Sequence, residues 1–275
     1  MLTAVEITNA QGVTLTLPIY DTSDGYEIRD IQGLDPVNAE ITSSPVANLD
    51  GEQEESSRRG KRNIIFKLGY STPAVRELRK RLYGFFMPKM KVNMRFYMEE
   101  ADMFYVEIDG TVESCLSPLF AKEPEATISI ICVDPDFSDP EPLVWNASTT
   151  SADTQGLLTY DGEIETGFRM TMNVDRALPA ITIHHRTTAT GVKNFLIFAV
   201  DTGILVAGDI LEISTISGNK YIRRTRSGVT TSLLFGNDPA SVWTNLYPGL
   251  NYLKIQSGGA PIPYTIEYTN KYGGL

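Results

Sequence analysis

Histidine is the side chain best suited to moving protons near neutrality, and this chain of 275 residues has two, His184 and His185, side by side. They lie in the run "AITIHHR", whose alternation is that of a β-strand, so the two rings project to opposite faces and cannot line one site. One reads as a surface residue and the other as a residue in or near a core. Cys115 and Cys132, the only cysteines, each fall in a strand-like run and read as free, packed thiols, and no Cys or His spacing supplies a metal site. The carboxylate pairs Glu99/Glu100 and Asp134/Asp136 have the residue type for glycoside hydrolysis, but the first falls in an expected turn and the second in an expected linker. "RRGKRN" fails as a phosphate loop, because Gly51 stands nine positions before Gly60 rather than five and Lys61 is followed by Arg62 instead of Ser or Thr. There is no G-x-S-x-G elbow. No catalytic, metal-binding or cofactor-binding set is expected, and no enzyme.

Charge is patterned more informatively. The net charge of -10 divides into -9 for residues 1 to 140 (14 Lys and Arg against 23 Asp and Glu) and -1 for residues 141 to 275 (10 against 11). An acidic half is poorly suited to gripping nucleic acid, though not to letting it slide past. Within "GEQEESSRRGKRN", Glu52, Glu54 and Glu55 precede Arg58, Arg59, Lys61 and Arg62, so the segment is an ordered charge dipole. It is expected to be an arm that pairs head to tail with its equivalent on a neighbouring subunit, with Arg58, Arg59 and Arg62 crossing the boundary; a mobile loop is the alternative. A second basic run, Arg76, Arg79 and Lys80 with Arg81, lies on the outer side of an expected helix, either as a solvated face or as a surface docking on an acidic neighbour. Trp145, Tyr264 and Tyr268 are candidate glycan contacts, against packing in a core or at a domain interface. Trp243, among Leu246, Leu250, Leu253 and Ile255, reads as core.

The elements that must carry these residues are mostly strands. "MKVNMRFYM" places Met90, Val92, Met94, Phe96 and Met98 on one side; "FYVEIDG", "ATISIICV" and "FRMTMNV" alternate likewise. "DIQGLDPVNAEI" reads as strand, tight turn, strand. "STPAVRELRKRLYGFFMP" is the one convincing helix, with Thr72 as cap, Pro73 in the first turn, Val75, Leu78 and Leu82 on one face, and Gly84 with Pro88 as stop. In "ISGNKYI", Gly218 and Asn219 suit positive φ at a hairpin tip. "DPDFSDPEP", with three prolines and four acidic residues, marks a boundary, giving domains 1 to 138 and 145 to 275 joined by a linker at 139 to 144. With 42% hydrophobic residues the chain can fill two such cores, and "MLTAVEITNA" lacks the features of a secretory leader, so a cytoplasmic site of synthesis is expected.

Several stretches in fixed order, "YEIRDIQGLDPVNAEI", "DGEQEESSRRGKRNIIFKLGY", "TPAVRELRKRLYGFFMP", "ISIICVDPDFSDP", "GDILEISTISGNKY", "SVWTNLYPGLNYLKI" and "IEYTNKYGGL", resemble the distal tail protein (Dit) family of long, flexible-tailed bacteriophages. The resemblance covers most of the chain. It implies a mainly β protein: a tail-tube-like N-terminal β-barrel or sandwich with one α-helix, and a C-terminal galectin-like or carbohydrate-module-like β-sandwich. It further implies a virion protein, assembled in the host cytoplasm, that forms a homo-oligomeric ring, commonly of six subunits. The ring joins the tail tube protein to a tail-tip hub or tail-associated lysin-like protein, with receptor-binding proteins as further partners. Genomic DNA would pass its lumen without specific binding, and no membrane or cofactor is implied. A baseplate protein binding carbohydrate through the C-terminal sandwich is the alternative function.

Overall fold

Val5 and Ile7, alternating with Glu6 and Thr8, commit the first residues to a strand with one wet and one dry side, and the pattern recurs along the chain. The computed structural model describes residues 1–46, 50–99, 104–119, 124–150, 156–178, 180–187, 193–199 (backbone only) and 205–275. The chain divides into two units. The first comprises Met1–Pro140 together with Tyr272–Leu275, and the second Glu141–Lys271. The second is therefore an insertion in the first, whereas the sequence pattern assigns everything from 145 onward to one domain.

In the first unit the chain runs β1 (Leu2–Asn9), β2 (Thr14–Pro18), β3 (Tyr26–Gln32), β4 (Ala39–Pro45), β5 (Glu52–Arg59), β6 (Arg62–Tyr70), α1 (Val75–Phe85), β7 (Lys91–Met98), β8 (Phe104–Leu116), β9 (Glu125–Cys132) and β10 (Phe137–Ser138). The main sheet has the order β2-β1-β7-β8-β9-β6-β3, with antiparallel pairs throughout. Its end strands β2 and β3 lie against one another, so the sheet curls. Val92, Met94, Phe96, Ile128, Ile130 and Cys132 all face the core, as their alternation predicts. Leu82 and Phe85 of α1 join them, each buried apolar side chain contributing about 1.5–3 kcal/mol.

Two local expectations are met only in part. The helix starts later than its sequence signals suggest: Ala74 occupies the capping position without a side-chain bond, and Gly84 lies inside the helix, which closes at Phe86. The segment 30–41 has its two strands, but the connection between them is not a tight turn and they do not pair with each other. β3 pairs with β6 and β4 with β5, so residues 33–38 cross from one sheet to another. Local composition signals a turn but cannot name the strand's partner.

The second unit contains β11 (Leu143–Ser148), β12 (Gly156–Tyr160), β13 (Phe168–Asn173), β14 (Ala180–Thr187), β15 (Lys193–Ala199), β16 (Ile210–Ser214), β17 (Tyr221–Arg226), β18 (Val229–Ser232), β19 (Gly249–Gln256) and β20 (Pro263–Tyr268). Two sheets, β11-β20-β13-β16-β17-β18 and β12-β19-β14-β15, share one core. Met170, Met172, Ile213 and Ile266 come from the first sheet and Leu158, Ile183, Leu253 and Ile255 from the second, which makes this unit a β-sandwich. The turn between β16 and β17 uses positive φ at Gly218, at 75°. Asn219 does not share it. β21 (Lys271–Tyr272) then pairs with β10 as the chain returns to the first unit.

His185, 2% exposed, is fully engaged in the sandwich. Nε2 donates to Asn251 Oδ1 at 2.9 Å, since the Asn251 amide nitrogen already donates to the carbonyls of Tyr247 and Gly249. Nδ1 therefore accepts from the Thr244 hydroxyl at 2.7 Å, and the ring stacks on Tyr247. Burial, partly opposed by the Asn251 bond, lowers the His185 pKa below its ordinary 6.5. The unfolded chain takes up a proton near 6.5 that the folded chain resists, so this contribution to stability is complete above that pH and declines as pH falls below it. The melting temperature of this unit should fall between pH 6.5 and 5 in wild type and fall less in His185→Gln, as read by calorimetry across that range; identical slopes would contradict the assignment.

Candidate functional site

The charged segment after residue 50 folds as a strand, not a loop. β5 pairs with β4 in an isolated two-stranded sheet, with Ala39 opposite Arg59, Glu40 opposite Arg58 and Pro45 opposite Glu52, and a bulge between Thr42 and Ser43. All eight residues of β5 are exposed, and β4 is exposed apart from a half-covered Ser44. Ile41 keeps 64% of its surface in solvent. A hairpin that buries no side chain has no core to hold it, and such ribbons are marginal in water unless a third strand or a surface covers them. This arm is the part of the described structure that packing leaves incomplete.

Charge is ordered along it. Glu52, Glu54 and Glu55 lie toward the tip, with Glu52 bonded to the Ser43 hydroxyl, and Arg58 and Arg59 stand at the root. The basic end is largely neutralised at home. Arg58 bonds Glu40 across the ribbon at 2.8 Å, an exposed pair that salt will screen. Arg59 forms a bidentate pair with Asp136, whose carboxylate is 6% exposed. Lys61 is exposed beside the root.

Arg62 corrects the sequence expectation that it crosses a subunit boundary. It is 1% exposed and lies at the start of β6, not on the arm. Its Nε donates to the Pro135 carbonyl at 2.6 Å, Nη1 to those of Gly33 at 2.6 Å and Asp35 at 2.7 Å, and Nη2 to that of Gly273 at 2.5 Å. The guanidinium also lies over the Phe137 ring, 4.4 Å from its centre. Burial depresses its pKa, and Asp136 is among the groups that oppose the shift. Gly33 adopts a φ of +86°, and a Cβ there would collide with the Asn63 carbonyl, so glycine is the residue that lets the Gly33 carbonyl itself reach the cation.

On α1, Arg76 and Lys80 are exposed one turn apart. Arg79 is not part of that free face, since it bonds Ser117 Oγ at 3.0 Å and the Pro118 carbonyl at 3.3 Å. Arg81 lies over the Tyr26 ring.

The candidate glycan contacts pack inward. Tyr264 is 3% exposed, and burial pushes its hydroxyl up to about 12. Trp145 packs edge-on to Tyr264 and over Gly156, where a Cβ would meet the indole at 2.6 Å. Tyr268 packs edge-on to Tyr160. Tyr264 is thereby committed to the core, while Trp145 and Tyr268 pack against it and stay half-buried.

Burial likewise pushes the Cys115 thiol up to about 11 and Cys132 up to about 12, so both stay protonated at neutral pH and are weak nucleophiles. Asp136 is taken up by Arg59, and Glu100 lies outside the described residues. Among the described residues no group of three or more His, Cys, Asp and Glu is placed to hold a metal ion.

No protein-family model matches the chain, and no curated protein matches it significantly. Among solved structures, the Dit protein of phage SPP1, described as a paradigm of the hub adsorption apparatus in phages infecting Gram-positive hosts, aligns over 97% of this chain and 98% of its own, with a TM-score of 0.64 at 16% identity. A chain of the phage P2 baseplate in its activated conformation with calcium aligns over 100% of both, with a TM-score of 0.52 at 11% identity. The strontium form of that baseplate gives 0.51 at 11% identity, over 99% of both chains.

Replacing Arg62 with alanine would strand at least four carbonyls around a buried void, and should destabilise the first unit by about 3 kcal/mol or more in urea denaturation. Arg62→Lys should recover only part of this, because an ammonium cannot reproduce the fork that reaches four acceptors on three segments. Taken with the mainly β architecture, these alignments show that the chain has, over nearly its whole length, the fold of the Dit hub proteins, the family its sequence resembles.

Proposed function

We propose that this protein is a structural subunit of a phage tail tip or baseplate, and that copies of it close into a ring through the β4–β5 arm. The observation that carries the proposal is a hairpin with no buried side chain on a unit whose main sheet has a filled core. In a closed ring each copy's unfinished ribbon is covered by the next, which satisfies every arm at once. The solved structures that align with the chain belong to phage hub and baseplate proteins, which supports this class of role.

The charge pattern selects where the arm docks. Arg58 and Arg59 are held by Glu40 and Asp136, so the arm's free charge is the acidic stretch at Glu54 and Glu55. The basic face of α1, with Arg76 and Lys80, is its complement on a neighbouring copy. This replaces pairing of one arm with its equivalent next door, in which the arginines would have to leave their partners.

A ring of six is the natural closure for this fold family, set between a tail tube protein and a tail-tip hub or lysin-like protein, with receptor-binding proteins docked outside and assembly in the host cytoplasm. DNA passage fits the acidity of the first unit. On the strands of its main sheet the charged residues other than Arg62 are seven carboxylates (Glu6, Glu27, Asp30, Glu107, Asp109, Glu113, Glu125) and four cations (Arg29, Lys67, Lys91, Arg95). A wall of that sign repels phosphate and leaves DNA free to move.

Arg76→Glu with Lys80→Glu should abolish the oligomer seen by native mass spectrometry at moderate salt, and adding Glu54→Lys with Glu55→Lys should restore it. Assembly that ignores both sets of reversals would defeat the arm-to-helix contact; a wild-type chain that stays monomeric at every concentration and inside particles would defeat the ring.

A further inference from the structure

The arm has two roots, residues 33–38 leading into β4 and Arg59 to Arg62 leaving β5. Both are tied to the same small region. Gly60 N–H donates to the Asn38 carbonyl at 3.4 Å, joining the roots to each other. Arg59 holds Asp136, and Arg62 holds Pro135 on one side and Gly33 and Asp35 on the other. What completes this cluster comes from far along the chain. Tyr272 packs edge-on against Phe104, with ring centres 5.7 Å apart, the Gly273 carbonyl takes the remaining guanidinium nitrogen, and the Leu275 N–H donates to the Leu34 carbonyl at 3.1 Å. Gly274 lies so close to the first root that a Cβ would stand 2.7 Å from the Pro36 ring and 3.1 Å from the Leu34 oxygen.

We infer that the segment Tyr272–Leu275 is a latch that fixes the root of the β4–β5 arm, and so sets the direction in which the arm is presented. The ribbon makes no side-chain contacts of its own to a core, so its orientation is inherited from its roots. Without the segment, Arg62 Nη2 loses its acceptor in a site 1% exposed, and the 33–36 crossing loses the hydrogen bond and packing that flank Pro36. A small slackening there is amplified along seven or eight residues of strand, about 25 Å. The segment also follows the whole inserted unit in sequence, so the arm is fixed only after residues 141–271 have been made. Premature docking by a half-synthesised chain is thereby disfavoured.

The consequence for assembly rests on the ring reading above, but the latch itself is tested without it. Limited trypsin digestion of the full chain, with sites located by mass spectrometry, should be compared for wild type, a deletion of residues 272–275, and Gly274→Val, which wedges the latch away from Pro36. Cleavage after Arg58, Arg59 and Lys61 should accelerate at least tenfold in both variants, with cleavage after Lys220, in the second unit, unchanged. Unchanged cleavage at the root overturns the latch. Equal acceleration after Lys67 and Lys91 in the main sheet also overturns it, since the segment would then support the whole unit and not the arm. If root cleavage accelerates as stated and wild type nevertheless fails to assemble, the latch stands and the ring reading falls.

Discussion

A buried guanidinium must be given acceptors, and in this fold the demand of Arg62 fixes three separate pieces of chain. A charge removed from water loses several kcal/mol of solvation that only well-placed dipoles return. Here they are the carbonyls of Gly33, Asp35, Pro135 and Gly273, with the Phe137 ring across the flat face. Each acceptor belongs to irregular backbone that no ladder holds. The cation therefore does for these crossings what the sheet does for the strands: it makes one arrangement much better than its neighbours. Arginine suits the task because its planar fork reaches several oxygens from one stem.

The rest of the molecule divides by how completely it is packed. Phe66, Phe96 and Phe137 in the first unit and Met170, Phe168 and Ile266 in the second have essentially no exposed surface. The arm has no buried side chain at all. That contrast between filled cores and an open ribbon is what the proposed docking of the arm on a neighbouring copy rests on. The arm's acidic stretch and the basic turn of α1 differ in sign and lie on separate elements, which is the arrangement a head-to-tail, closing assembly requires.

Alternation made most strands legible. "FRMTMNV" buried the four residues it promised, because a period of two has one physical interpretation when one face is dry. The helix was legible from Leu78 and Leu82, but its start was not, since Thr72 and Pro73 are good capping residues left outside the first turn. Arg62 was misplaced because a run of four basic residues reads as one solvated surface, and nothing local marks the one that turns inward. Gly33 was the available signal, a glycine placed where a carbonyl must approach something closely. The return of Tyr272–Leu275 to the first unit had no sequence signal, because it depends on contacts more than two hundred residues apart. Trp145, Tyr264 and Tyr268 show the opposite ambiguity: residue types that suit a ligand platform suit a core equally well, and here Tyr264 is buried while Trp145 and Tyr268 pack against the core half-buried.

The most direct measurement is zero-length carboxylate-to-amine cross-linking of the assembled protein, made from a mixture of isotopically light and heavy copies. The account predicts mixed-isotope links from Glu54 or Glu55 to Lys80, formed between copies and lost when the arm is removed. Links from the arm that are always isotopically pure, or an assembled particle whose arm carboxylates link only within their own chain, would contradict it.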